Sequence, residues 1–219
     1  WTLISYDITY NDDGTVPGNP TSYTVEDSFT LINPAMPGYE FIGWTGTGLS
    51  GLTMTVTVAE GNTGARDYTA NWRVGDITVT GFDGVYDKTP HSVTVSGTQP
   101  GDTVTYSTDG ITYGSVNPAY TNATSVTGVT VYVKVERAGA EDFNGSAVIK
   151  IDKAPLTVKA QNKTVKYGDA PPAYTVKYTG FLTGDNKNNS LTGAPALSCA
   201  YIVGNPAGDY TIFITQNTL

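Results

Sequence analysis

Cysteine and histidine, the residues from which proteins most often build redox and metal centres, are almost absent from this sequence. The 219 residues contain one cysteine, Cys199, and one histidine, His91. A lone cysteine cannot close an internal disulfide, and no second cysteine or histidine lies nearby to complete a metal site. Cys199 stands among apolar residues in LSCAY, so we expect a small buried side chain rather than a reactive thiol. The sequence therefore predicts no metal site and no cofactor.

Positive charge and long apolar runs are also scarce. Twelve Lys and Arg residues stand against 20 Asp and Glu residues, which gives a net charge of −8 without a basic cluster. Nucleic acids and anionic membranes are bound through such clusters, so we predict neither as a partner. No signal peptide, lipidation motif or membrane-spanning run occurs, and the abrupt ends at Trp1 and Leu219 favour a piece of a longer protein.

No set of nucleophile, acid and base is recognisable, and we predict that the protein is not an enzyme. His91 lies in KTPHSV without a serine in a Gly-x-Ser-x-Gly setting to activate, so it is interpreted as an ordinary turn or strand residue. The stretch TGTGLSG is glycine-rich like a phosphate-binding loop. However, it lacks the Lys-Ser/Thr ending and the following helix of such loops.

Acidic residues occur as neighbours, which on a strand point to opposite faces and do not grip one substrate. Asn11-Asp12-Asp13-Gly14 lacks the alternating ligands and distal glutamate of an EF-hand loop, so we predict a turn, with an adventitious calcium ion as the alternative. Acidic residues beside glycines or turn residues are interpreted as turn formers. The neighbouring pairs and the turn formers are Asp12–Asp13, Glu26–Asp27, Glu141–Asp142, Asp83, Asp87, Asp102 and Asp109.

Two lysines raise the question of an isopeptide bond. In bacterial stalk proteins, a lysine and an asparagine on neighbouring strands can form such a bond in an apolar core when a carboxylate lies close. Lys134 and Lys150 lie on predicted strands. Lys134 alternates out of phase with the surrounding valines, so it should point to solvent, which disfavours the bond.

The residues that are plentiful are those of β-sheets. Thr, Val, Tyr and Ile recur between Gly and Pro, and no apolar pattern at helical spacing is sustained. Alternation of period two predicts strands with one buried face, as in GLTMTVTVAE, where Leu52, Met54, Val56 and Val58 share a side. Asp109-Gly110 predicts a hairpin turn, and Val129, Val131, Val133 and Val135 predict a long half-buried strand. The fold class is predicted to be mainly β, with several small modules in tandem.

The first segment, residues 1–74, carries ITYN, NPTSYTVEDSFTL, PGYEFIGWTG and YTANW in this order. This order resembles the internalin-type (Listeria–Bacteroides) B-repeat of bacterial surface proteins, which implies a small β-grasp-like module. This copy departs from the common pattern by a longer insertion before the closing strand, GTGLSGLTMTVTVAEGNTGARD.

The second segment, residues 75–152, carries VYDKTPHSVTVSG, VTYSTDG and VYVKVERAGAEDFNGSAVIKI. It is similar to the bacterial immunoglobulin-like modules of surface proteins, which implies a β-sandwich. The third segment, residues 153–219, carries KTVKYGD, GFLTGD and AGDYTI and resembles the MBG repeat. Because that family continues into a further strand, the resemblance implies a module truncated at its C-terminus, with an open edge.

The aromatic cluster in GYEFIGWTG permits two interpretations. Tyr39, Phe41 and Trp44 could stack on a sugar, or they could form the core of the first segment with Trp72. A module of about 70 residues needs its largest side chains inside, because its surface-to-volume ratio is poor, so we predict the core.

The resemblances imply a non-catalytic segment of a bacterial cell-surface or secreted protein that spaces and presents other domains of its parent chain. The alternative is an adhesin module that binds glycans, mucin or matrix protein on host or microbial surfaces. Neither interpretation identifies a binding residue.

Overall fold

The computed structural model describes residues 2–11, 13–14 and 16–215. Its elements are sixteen short strands and one helix of four residues, which confirms the mainly β prediction. The elements are β1 (Tyr6–Asn11), β2 (Ser22–Tyr23), β3 (Phe29–Thr30), β4 (Tyr39–Gly46), β5 (Thr57–Val58), β6 (Arg66–Val74), β7 (Thr78–Thr80), β8 (Phe82–Val85), β9 (Thr94–Ser96), β10 (Thr103–Ser107), β11 (Val129–Glu136), β12 (Phe143–Asp152), β13 (Thr157–Ala160), β14 (Val176–Thr179), α1 (Lys187–Ser190), β15 (Ala196–Cys199) and β16 (Ile212–Thr215).

The first segment folds around a mixed sheet in the order β2-β1-β6-β4. Strand β1 runs parallel to β6, whereas β2 and β4 pair antiparallel with their neighbours. A separate two-stranded ladder joins β3 to β5. Nine buried side chains fill the space beneath the sheet: Ile8, Tyr23, Leu31, Trp44, Val56, Val58, Tyr68, Ala70 and Trp72.

A β-bulge in β4 sets which aromatic side chains face this core. The register against β6 shifts between Phe41 and Gly43, so that Phe41 pairs with Trp72 and Gly43 with Asn71. The extra residue brings Phe41 and Trp44 to the same side although they are three positions apart. Gly43 takes φ +132, a backbone conformation that side chains with a Cβ rarely adopt.

The prediction of a long strand over Leu52–Val58 was wrong in its first half. Leu52 and Met54 are each 51 % exposed, while Val56 and Val58 are buried. Within this stretch only Thr57–Val58 forms a strand, because Thr53 bridges to Trp44 of β4 whereas Thr57 and Val58 pair with β3, so the two halves have different partners.

The second segment contains a sheet in the order β10-β11-β12-β8 and a two-stranded ladder of β7 and β9. Of the four valines predicted to share a buried face of β11, Val131, Val133 and Val135 are completely buried and Val129 is partly buried. After β10, the turn at Asp109-Gly110 brings Gly114 back to Tyr106 through an isolated bridge rather than a full return strand.

The third segment has two antiparallel ladders, β13 with β14 and β15 with β16. Partly buried and exposed residues alternate regularly along its strands, but no residue between Asp152 and Thr215 is buried. Cys199 is only partly buried, with its thiol 3.8 Å from the Tyr210 carbonyl oxygen, so the prediction of a buried cysteine holds in part. The predicted truncation concerns residues 216–219, which lie outside the described residues.

The chain separates into two compact units. The first comprises Trp1–Asp83, Pro90–Tyr120 and Thr124–Lys150, and the second Gly84–Thr89, Thr121–Ala123 and Ile151–Leu219. The first segment and most of the second therefore share one unit, and the boundaries of three separate modules stay a prediction. The part of the chain that is described has no helix with the length and apolar character needed to cross a membrane.

Candidate functional site

His91 pairs with a neighbouring segment through its backbone and stacks on an aromatic ring through its side chain. Its backbone exchanges two 2.9 Å hydrogen bonds with Tyr120. Its ring stacks on Phe82, with ring centroids 3.5 Å apart and planes inclined by 14°. This geometry agrees with an ordinary strand residue, and within the described ranges no three His, Cys, Asp or Glu side chains come close enough to hold a metal.

The acidic turn formers behave largely as predicted. Asp109 accepts hydrogen bonds from the Ser107 hydroxyl at 2.7 Å and from the Ile111 and Thr112 N–H groups at 2.8 Å. These bonds, with that of Ser107 as the largest cause, lower the pKa of Asp109 to about 2. Asp27 accepts from the Thr24 N–H in the same manner, and its pKa is also lowered. Asp12 lies outside the described residues.

The two lysines considered for an isopeptide bond both form ion pairs. Lys134 lies opposite Asn144 on β12, the pairing that the bond would need. Its ammonium, however, is 2.6 Å from Glu136 and 3.1 Å from Asp142, and the Glu136 hydrogen bond is the main cause that raises its pKa. A charged ammonium is not a nucleophile, so this environment opposes the bond. Lys150 pairs with Asp83 at 3.1 Å.

The aromatic side chains of GYEFIGWTG belong to the core. Trp44 is fully buried and Trp72 is 5 % exposed, which confirms the core interpretation. Phe41 meets both indoles edge-on, with ring centroids 5.4 and 5.6 Å away, and Tyr39 packs against Trp72. The indole N–H of Trp44 donates to Asn33 at 2.9 Å, so its polar atom is satisfied inside.

The most elaborate polar arrangement lies where the first and second segments meet. Asp102 precedes β10 and Arg137 follows β11, and the ladder between them ends at the pair Thr103–Glu136. The two side chains therefore continue the ladder by one position. Arg137 donates two hydrogen bonds of 2.7 Å to the Asp102 carboxylate, one from Nε and one from Nη2.

This ion pair is shielded from water. The side chains of Arg137 and Asp102 are only 5 % and 2 % exposed. Asp102 also accepts from the Gln99 N–H at 2.8 Å. The Arg137 hydrogen bonds are the main cause that lowers the pKa of Asp102, and the same bonds raise the pKa of Arg137.

Arg137 extends from the second segment into the first. Its Nη1 donates to the Gly38 carbonyl oxygen, and its guanidinium lies 5.1 Å from the centroid of the Tyr39 ring. Gly38 in turn donates to Asp76 at 3.1 Å and accepts from the Gly75 N–H at 2.9 Å. We call this set of residues, Gly38, Tyr39, Asp76, Asp102 and Arg137, the joint.

Gly38 is required by the packing of the joint. It takes φ +80, and a Cβ there would overlap the Gln99 side chain and lie 2.9 Å from Nη1 of Arg137. A larger residue would therefore be strained by its backbone and would push the guanidinium away from its partners.

Backbone pairing adds a second connection at this place. Glu141 donates to the Trp72 carbonyl oxygen at 2.8 Å and accepts from the Val74 N–H at 2.9 Å. The end of β6 is therefore paired with the turn between β11 and β12, and Ala140 of that turn packs on the first-segment core. The two segments share hydrogen bonds, an ion pair and apolar contact.

The joint does not follow from the sequence predictions, in which Asp102 is a turn former and Arg137 has no role. One signal was present: Arg137 continues the alternation of Val131, Val133 and Val135, so it occupies the buried face of β11. A charged residue in phase with a buried strand face requires a buried partner.

A comparison with known families bears on the third segment. Residues 156–219 match the family of the MBG domain (YGX type). The third segment resembles an MBG domain. MBG domains are non-catalytic modules of surface proteins. No curated protein matches the chain. Because the family match covers less than a third of the chain, the B-repeat-like and immunoglobulin-like interpretations of the other segments stay predictions.

Proposed function

We propose that this chain is a non-catalytic segment of a bacterial cell-surface protein and acts as a spacer that presents other domains of the same protein. The observation that carries the proposal is the joint. A spacer must hold its modules in a fixed arrangement, and a buried bidentate ion pair that also binds the neighbouring backbone provides such a constraint.

Two further observations support the spacer over the adhesin alternative. Of the aromatic residues that could have stacked on a sugar, Trp44 is fully buried, and Tyr39 and Phe41 are partly buried against the core. The MBG-like third segment is similar to a module type of surface proteins, which supports an extracellular location at the bacterial surface. Two aromatic pairs do lie outside that core, Tyr178–Phe181 and Tyr201–Tyr210, with ring centroids 5.9 and 5.4 Å apart, and these partly exposed rings are where the adhesin alternative would place glycan stacking.

The first experiment tests whether the joint couples the two segments. All three tryptophans, Trp1, Trp44 and Trp72, lie in the first segment, so their fluorescence reports its unfolding alone. Amide hydrogen exchange of β11 reports the second segment. In urea, we expect the two transitions to coincide in the natural protein and to separate in Arg137→Met, since that change leaves Asp102 buried and unpaired.

The matched control is Arg73→Met. Arg73 forms a similar two-bond contact with Glu40, but the two side chains are 45 % and 55 % exposed. An exposed pair contributes little, so the transitions should stay coincident. Separate transitions in the natural protein would contradict the coupled spacer.

The adhesin alternative has its own test, an array of glycans, mucins and matrix proteins. The whole chain is assayed first, and the fragments 1–152 and 153–219 only if each proves folded. The spacer predicts no saturable binding by the folded chain. Saturable binding that maps to one segment would replace the spacer with the adhesin.

A further inference from the structure

The sequence pattern Gly-x-x-x-Gly-Asp forms the same turn in the second and the third segment. It is GTQPGD at residues 97–102 and GFLTGD at residues 180–185. Each turn directly follows the second strand of a two-stranded antiparallel ladder, β7 with β9 and β13 with β14. We call these two the first and the second GD turn. A third match, GNPAGD at residues 204–209, directly follows no strand.

The two GD turns share their backbone conformation. Both glycines of each turn have a positive φ, +87 and +97 in the first and +114 and +88 in the second. A Cβ on Gly97 would overlap the carbonyl oxygen of Asp76, and a Cβ on Gly180 would overlap that of Pro155. Each of these carbonyls lies two residues before the first strand of its ladder. The glycines are therefore required by one and the same close approach.

The aspartate of the first GD turn holds a side chain that crosses into the first segment. Asp102 accepts two hydrogen bonds of 2.7 Å from Arg137, whose Nη1 donates to the Gly38 carbonyl oxygen. The turn itself also reaches the first segment, because Gln99 donates to the Pro37 carbonyl oxygen at 3.3 Å. The joint is thus built on this turn.

The aspartate of the second GD turn holds a side chain that comes from the second segment. The ammonium of Lys88 donates to Asp185 and to the Thr183 carbonyl oxygen, both at 2.9 Å. In each turn the aspartate therefore binds one cation of the second segment, and that cation contacts the segment on the other side of a boundary.

Backbone strain is concentrated at the same two places. The described residues other than glycine with a positive φ are Asp13, Asp76 and Lys88. Asp76 accepts from the Gly38 N–H of the first segment at 3.1 Å, and Lys88 reaches the third segment. Such strain persists where the surrounding contacts require it, so both residues are held for their contacts across a boundary.

We propose that the GD turn is a docking site that fixes a segment to the segment before it, and that its partner is one cationic side chain spanning the boundary. Charge-assisted hydrogen bonds from such a side chain to a carboxylate and to a carbonyl oxygen fix both distance and direction. The inference does not depend on the spacer proposal, since docking of neighbouring segments can be measured whatever the parent protein does.

The test measures how fast each lysine of the complete 219-residue chain is acetylated by a dilute N-hydroxysuccinimide ester, with mass spectrometry as the readout. The ester reacts with the neutral amine, and the hydrogen bond to Asp185 is the main cause that raises the pKa of Lys88. We expect Lys88 to react about two- to fivefold more slowly than exposed Lys159 of β13. A carbodiimide, which joins an amine to a carboxylate in contact with it, should link Lys88 to Asp185.

Two pairs of variants locate the contact. Asp185→Asn should raise the acetylation rate of Lys88 to that of Lys159. Its control is Asp209→Asn, because Asp209 is exposed and ends the third match of the pattern.

Gly184→Ala should raise the same rate without changing a charge, since a Cβ there would lie 3.3 Å from the Lys88 ammonium. Its control is Gly168→Ala. Gly168 has a similar φ of +92, but a Cβ there would meet no atom within 4 Å. Both variants carry the same backbone strain, so a difference between them reports the contact with Lys88.

The first GD turn is tested by amide exchange of Gly75. Its N–H donates to the Gly38 carbonyl oxygen, which Arg137 also binds. Asp102→Asn should speed this exchange about tenfold, because Arg137 loses its buried partner. The control is Asp109→Asn, since the hydrogen bonds of Asp109 remain within its own turn.

Three results would overturn the proposal. One is acetylation of Lys88 as fast as that of Lys159, without a carbodiimide link, in the natural folded chain. Another is an equal effect of Gly184→Ala and Gly168→Ala on Lys88. The third is an equal effect of Asp102→Asn and Asp109→Asn on Gly75. The first of these measurements needs no variant, so it remains decisive even if a substitution disturbs folding.

Discussion

The first and third segments are both short β structures of similar length, yet they use their apolar residues differently. The first buries nine side chains around Trp44, Tyr68 and Trp72. The third, between Asp152 and Thr215, buries none. Two of its strands, β13 and β16, contribute residues to the lining of an open cavity. The difference follows from side-chain size: the three tryptophans of the chain all lie in the first segment.

Large aromatic groups allow a thin structure to exclude water. Each of them buries about 150–250 Å2, so a few rings can close the space beneath a small sheet. In the first segment the rings also contact one another, with Phe41 between Trp44 and Trp72. The third segment has no tryptophan, and its five tyrosines and two phenylalanines are exposed or only partly buried, so no ring closes the space beneath its strands.

The difference between the first and third segments predicts the largest loss of stability for a substitution of Trp44. Trp44→Ala removes a fully buried indole that no neighbour can replace, and we expect the first unit to lose about 3–5 kcal/mol of unfolding free energy. Urea denaturation followed by circular dichroism measures this loss. Tyr167→Ala in the third segment is the control, because Tyr167 is 76 % exposed and its removal should change stability little. A loss below about 1 kcal/mol for Trp44→Ala would contradict the aromatic core.

A second prediction compares the same substitution in the two segments. Val58 on β5 is 1 % exposed, whereas Val176 on β14 is partly exposed beside Ala160. Val58→Ala should cost the first unit about 2 kcal/mol, since two methyl-sized groups leave a closed core. Val176→Ala should cost the second unit about half of that or less, because part of its surface already contacts water. Equal losses would indicate that the third segment is packed as tightly as the first.

The sequence predicted those features that depend on local alternation. The valine face of β11 and the burial of Trp44 and Trp72 follow from period-two patterning and from the need of a small module for large core groups. The bulge after Phe41, the exposure of Leu52 and the contact of Arg137 with Gly38 could not be predicted in this way. They depend on where distant strands meet: Gly38 and Arg137 are 99 positions apart. The cavity of the third segment likewise arises from loops that no local pattern positions.

A third prediction concerns the stability of the first unit at acidic pH and how far it depends on Asp102 of the joint. The pKa of folded Asp102 lies below the value of about 3.9 for an unfolded aspartate. The stabilisation is therefore fully present above that unfolded value and is lost as the pH falls through the lower folded pKa. Between pH 7 and pH 3 we expect only the beginning of this loss in the natural protein.

The measurement is the urea midpoint of the first unit across this pH range. Asp102→Asn removes the titrating group, so the variant should be less stable at pH 7 and show a weaker decline toward pH 3 than the natural protein. An identical decline in both proteins would show that Asp102 does not contribute to the acid sensitivity.

The smallest change in stability is expected at the Lys88–Asp185 ion pair of the second unit. Its dependence on salt should differ from that of the buried ion pair of the joint. Lys88 and Asp185 are 2.9 Å apart, but their side chains are 38 % and 12 % exposed, against 5 % and 2 % for Arg137 and Asp102. Salt shortens the range of exposed interactions to about 3 Å at 1 M and affects buried pairs far less.

Lys88→Gln should therefore shift the unfolding midpoint of the second unit slightly at low salt and not at 1 M salt. The shift caused by Arg137→Met in the first unit should persist at both concentrations. If the Arg137→Met shift also vanished at high salt, water and ions would reach the joint, and the two segments would be held together by their backbone pairing and apolar contacts alone.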